Sequence, residues 1–113
     1  MMANRRPVQT IRGVRQALDD GGRIEVECLT SAWREGSVWR GEWRFYARST
    51  DADATDVRAL VVTHHALEPK VVRTVHGLVG LATDLGIDLP QIPLSEGQMG
   101  VWARGQMHAE DMG

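Results

Sequence analysis

Cysteine is nearly missing from this chain: Cys28 stands alone among 113 residues. One thiol excludes an internal disulfide framework and any zinc site that needs two or more thiolates from the same chain. Lysine is as scarce, with Lys70 the single example among 13 basic residues. So strong a preference for arginine suggests GC-rich bacterial coding and favours no particular chemistry. Long apolar runs are absent too. No stretch reaches the roughly 18 apolar residues that span a bilayer, and the basic opening MMANRRPVQT leads into no apolar signal region. We therefore expect a cytoplasmic protein without a membrane segment. There is also no internal repeat, no low-complexity tract and no glycine-rich loop joining a strand to a phosphate-binding helix terminus.

What is present is the composition of a folding chain, 42% hydrophobic and 25% charged, far from the apolar-poor pattern of disorder. A chain this short does not readily divide its apolar residues between two cores. The expectation is one α+β domain over residues 1–105, with 88–105 as an extended docking arm and 106–113 as a disordered tail with nothing to bury. Net stability at this size should be about 5 to 10 kcal/mol. The formal charge of −2 hides an asymmetry: residues 1–48 hold nine arginines and six acids (+3), residues 49–113 four basic and nine acidic residues (−5). That split permits a basic patch, but one too small for a dedicated nucleic-acid binder.

Hydrophobic spacing sets the element order. Val8, Ile11, Val14 and Leu18 recur at helical period, and Asp19-Asp20-Gly21-Gly22 stops them, which predicts a helix over Pro7–Leu18. Its outer face would carry Arg12 and Arg15, with Arg5 and Arg6 just before it. Ile24, Val26 and Cys28 alternate with charged residues, as do Trp39, Gly41, Trp43, Phe45 and Ala47 with Arg40, Glu42, Arg44, Tyr46 and Arg48. Both runs have the period of a strand with one face buried, and residues 31–37 would join them as a hairpin with Trp33 at its tip. Val57–Thr63 reads as a third, more buried strand. Pro69 suits the first turn of a second helix running to Leu85, striped by Val71, Val75, Leu78, Ala82 and Leu85, widened by Val72 and Val79, and closed by Gly86. Met99–Ala103 would add an edge strand. The architecture expected is α-β-β-β-α, a three-stranded antiparallel sheet packed by helices, with the arm following.

That order resembles the double-stranded RNA-binding domain, and the resemblance implies recognition of duplex shape through backbone and 2′-hydroxyl contacts. The family's lysine cluster at the start of its second helix is replaced here by Glu68-Pro69-Lys70-Val71-Val72-Arg73. Gly77-Leu78-Val79-Gly80 resembles the KH loop only in spacing, since it falls inside a predicted helix.

Candidate site residues follow from the predicted faces. Arg40, Arg44, Tyr46 and Arg48 form a strip on the open side of the sheet, where Glu25, Glu27 and Glu42 are available as cross-strand partners. Trp39 and Trp43 are expected in the core. Trp33 with Arg34 at the hairpin tip, and Trp102 in the arm, are expected as partner contacts, because Trp, Tyr and Arg dominate the energetic centres of interfaces. Gly77 and Gly80 lie opposite the apolar stripe, where another backbone, from the arm or a second subunit, could pack closely. His64, His65, His76 and Cys28 are the only soft metal ligands. Adjacent histidines on an extended segment point apart, and Asp56 and Glu68 complete no acid-base constellation, so no metal, cofactor or enzymatic role is expected. By elimination the chain should bind another protein or itself. Nucleic-acid binding through Arg5, Arg6, Arg12 and Arg15, a small inhibitor from a mobile element (anti-CRISPR or anti-restriction type), and a metal protein or enzyme built on the histidines are the alternatives.

Overall fold

A computed structural model describes residues 8–50 and 53–105. Arg5, Arg6, the start of the first predicted helix and the predicted tail lie outside the described residues. Eight elements follow in order: β1 (Val8–Gln9), α1 (Ile11–Asp19), β2 (Arg23–Glu35), β3 (Val38–Thr50), β4 (Asp56–Val61), β5 (Val72–Thr74), α2 (Val75–Asp84) and β6 (Met99–Trp102). The α+β class stands, but the sheet has six strands and not three. They run β1-β4-β3-β2-β6, with β5 sharing the β4 side of β3 further along. All pairings are antiparallel except β1 with β4. The element order thus departs from that of the double-stranded RNA-binding domain at β1, β5 and β6.

The first helix is shorter than its spacing predicts. Val8 pairs with Leu60 in β1, and the helix starts after Thr10 to bury Val14, Ala17 and Leu18. Its stop is the expected one. The amide of Gly22 donates to Ala17 O at 2.8 Å and that of Gly21 to Leu18 O at 3.1 Å, the paired bonds of a Schellman motif. Gly21 takes the left-handed φ of +92°, and at Gly22 a Cβ would stand 2.5 Å from Arg48 O. The second helix ends the same way at Gly86, with buried Ile87 as the apolar follower.

The start of α2 is a correction. Pro69 does not open the helix; it bridges Val62, and Val72–Thr74 add a short strand to β3. The β-branched run Val71-Val72-Arg73-Thr74-Val75 favours extended backbone, and Thr74 caps the helix by accepting Gly77 N at 2.9 Å. Leu78 and Ala82 are buried as expected, whereas Val79 is 47% exposed.

Both helices pack on one face of the sheet, around Ile24, Val26, Cys28, Trp43, Phe45, Ala47 and Trp102. Burial pushes the Cys28 thiol pKa up, as suits an inert core thiol. The arm docks: β6 pairs with β2, Trp43 Nε1 donates to Pro93 O and Trp102 Nε1 to Gln91 O, both at 2.7 Å. No helix among the described residues is long and apolar enough to cross a membrane.

Candidate functional site: the exposed end of the β2–β3 hairpin

Among the described residues no helix lies over the other face of the sheet. It carries the predicted strip, and each arginine there meets a carboxylate: Arg44 Nε lies 2.7 Å from Glu27, Arg48 Nη1 3.0 Å from Glu25, and Arg40 Nε 2.5 Å from Glu35. Arg48 also pairs with Asp56. Arg58, which the sequence reading did not single out, joins through Glu25 at 2.9 Å, and Arg73 stands 3.6 Å from Glu42. Tyr46 is held between two guanidinium groups, 3.7 Å from Arg58 and 5.5 Å from Arg44. Hydrogen bonding to Glu27 raises the Arg44 pKa, and hydrogen bonding from Arg48 lowers that of Asp56. Five arginines pair with five carboxylates, and Arg23, set opposite Arg48 and near enough to Asp56 to act on it, adds a sixth cation to this largely ion-paired face. Its groups are only partly exposed, and Glu25 and Glu27 take the cross-strand arginines expected of them, while Glu42 faces Arg73.

The hairpin itself outruns its cover. Strands of 13 residues extend about 43 Å at roughly 3.3 Å per residue, whereas the longer helix, with 10 residues, covers only about 15 Å. On the β2 side the arm's last backbone bond is Ala32 N to Leu94 O, at 2.8 Å. On the β3 side the last pairing is Arg40 with Thr74. Residues 33–39 project beyond both neighbours, and every one of them is exposed.

Trp33 does not sit at the tip. The strands continue to a two-residue turn at Gly36-Ser37, between Glu35 and Val38. Gly36 takes φ +63°, the positive value that such hairpin turns require at their first position, and Arg34 Nε braces the turn by donating to Gly36 O at 2.9 Å. Trp33 lies opposite Arg40, and Trp39 opposite Arg34. Residues directly across a ladder share a face, so each face of the projecting end carries one indole and one guanidinium. The exposures are 45% for Trp33, 50% for Trp39 and 38% for Val38.

Two expectations are thereby reversed. Trp39 has the inward parity of Trp43 but leaves the core because no helix reaches that far. Trp102 is fully buried and offers nothing to a partner, because β6 carries it inward against Phe45, at 5.7 Å between ring centroids. Gly77 is crowded by its own neighbours, with Val72 Cγ1 2.9 Å and Thr74 Oγ1 3.0 Å from where a Cβ would stand, and the space over Gly80 is open. The arm passes over neither glycine.

The chain matches no family model, no curated protein and no solved structure. Among the described residues no three His, Cys, Asp or Glu side chains gather as a metal site. His64 and His65 occupy a turn and not an extended segment, so their rings meet edge to face at 5.0 Å and do not point apart.

Proposed function

We propose that this chain is a small non-enzymatic bacterial protein of the cytoplasm that acts by binding another protein, either a different one or a second copy, through residues 33–39. The observation that carries this reading is the pair of half-exposed indoles, one on each face of a two-stranded ribbon whose two edges are unpaired among the described residues. Indole and guanidinium groups concentrate binding energy at interfaces, and unpaired strand edges accept further backbone pairing. The protein reading also draws support from the ion-paired sheet face, since a lattice of matched charges offers little to a phosphate backbone.

The test is affinity capture from the native host at low and high salt, with and without nuclease, using the natural chain and the double variant Trp33→Ala/Trp39→Ala. Sedimentation of the purified chain reports self-association alongside. Capture or self-association should resist salt and nuclease and fall by a factor of about thirty or more in the double variant, the cost of losing a hot spot. Binding that vanishes with salt and nuclease, or that ignores the double substitution, rules the reading out.

A further inference from the structure

Away from the hairpin, a hollow of about 270 Å³ opens where the start of α1 meets the segment after β4 and the approach to β5. Ile11 and the buried Val62 supply apolar lining, Thr10 and Thr63 polar lining. Three basic residues line it from separate segments: Arg12 from α1, His64 from the turn after β4, and Lys70 from the residues before β5. No aspartate or glutamate lines it. On the open sheet face Arg40, Arg44, Arg48, Arg58 and Arg73 each face a carboxylate, whereas Arg12 and Lys70 have no ion pair or hydrogen bond from their side chains among the described residues.

Backbone bonds fix the segments that carry Lys70 and His64. The Lys70 amide donates to Val61 O at 2.9 Å beside the Pro69–Val62 bridge, and the turn bearing His64 is closed by Thr63 N to Glu68 O at 2.8 Å. Cations brought together without counter-charges repel one another, and an anion between them relieves that repulsion through charge-assisted hydrogen bonds. The first amides of α1 add donors on the same side, since the Thr10 side chain caps none of them.

We propose that this hollow binds a compact organic anion, a phosphate or carboxylate carried on a small apolar body. The apolar lining asks for that body, and the volume lies at the small end of ligand pockets, which run from roughly 300 Å³ upward, so a single ring fits and a dinucleotide does not. This site is separate from the hairpin and does not depend on it.

Titration calorimetry of the full chain with phenyl phosphate, benzoate and inorganic phosphate tests it. One or both aromatic anions should bind saturably and more tightly than inorganic phosphate, and the preferred one names the anionic group. Arg12→Gln and Lys70→Gln should each weaken that binding roughly tenfold, the loss of one charge-assisted hydrogen bond. Arg73→Gln, which removes the same charge from the sheet face, should leave it unchanged. Absence of saturable binding by both aromatic anions, equal binding of inorganic phosphate, or an equal loss in Arg73→Gln overturns the proposal.

Discussion

The two halves of the β2–β3 hairpin share their strands and their alternation, yet they differ in almost every physical respect. In the inner half, Ile24, Val26, Cys28, Trp43, Phe45 and Ala47 are at most 2% exposed, and the opposite face is laced by ion pairs. In the outer half, residues 33–39 have solvent on both sides, and their indoles gain little from the fold. Tryptophan residues four positions apart thus belong to different economies of the same strand. Trp43 holds the molecule together, and Trp39 is free to act on something else. Alternation tells which face a residue takes; the extent of the neighbouring elements decides whether that face is covered.

Replacing one indole from each half breaks the comparison most sharply. Trp43→Ala removes a fully buried ring and the donor to Pro93 O, and should cost about 3 to 5 kcal/mol, a large part of the total. Trp39→Ala should change stability by less than about 0.5 kcal/mol while weakening partner capture. Urea denaturation followed by circular dichroism measures both, and similar losses from the two would show that the outer half is not independent of the core.

A smaller effect belongs to Gly41, where a Cβ would stand 2.5 Å from the Trp43 ring. The indole lies over this glycine, so Gly41→Ala should push it outward at a cost of roughly 1 to 3 kcal/mol. A shift in the tryptophan near-ultraviolet circular dichroism should accompany the loss, and an unchanged spectrum with full stability would contradict the packing.

The smallest effect concerns acid. Arg48 holds the Asp56 carboxyl below its ordinary pKa, so the contribution of that group is complete above the unfolded value, near 4, and fades as pH falls through the folded one. Asp56→Asn should flatten the stability profile below about pH 4 and leave its neutral region almost level. An acid limb that is unaltered in the variant would assign the pH dependence to other carboxylates.

Much of the inner half was legible from the residues. Strict alternation in β2 and β3 identified the core face, the paired glycines after Asp20 and the glycine at Gly86 marked two helix ends, and Glu25 and Glu27 stood ready to neutralise the strip. The failures share a cause: each concerns length or tertiary contact, which local period does not report. Parity alone puts Trp39 inside with Trp43. A glycine-flanked arm carries no period and so points Trp102 outward, although its pairing with Ile24 decides its burial. Pro69 outweighed the β-branched run behind it, which hid both β5 and the capping role of Thr74. Arg12 and Lys70, 58 positions apart in the numbering, meet only once β1 and β4 are paired.

The arm has one more consequence. Because β6 seals the free side of β2 using residues about 75 positions further along the chain, a ribosome must extend the chain through Trp102 before that seam can close. Until then the nascent hairpin has an unprotected flank, and two indole N–H groups wait for the carbonyls of Gln91 and Pro93. Contacts of such long sequence separation slow folding, so the arrival of β6 governs when the β2 flank becomes safe from pairing with other chains.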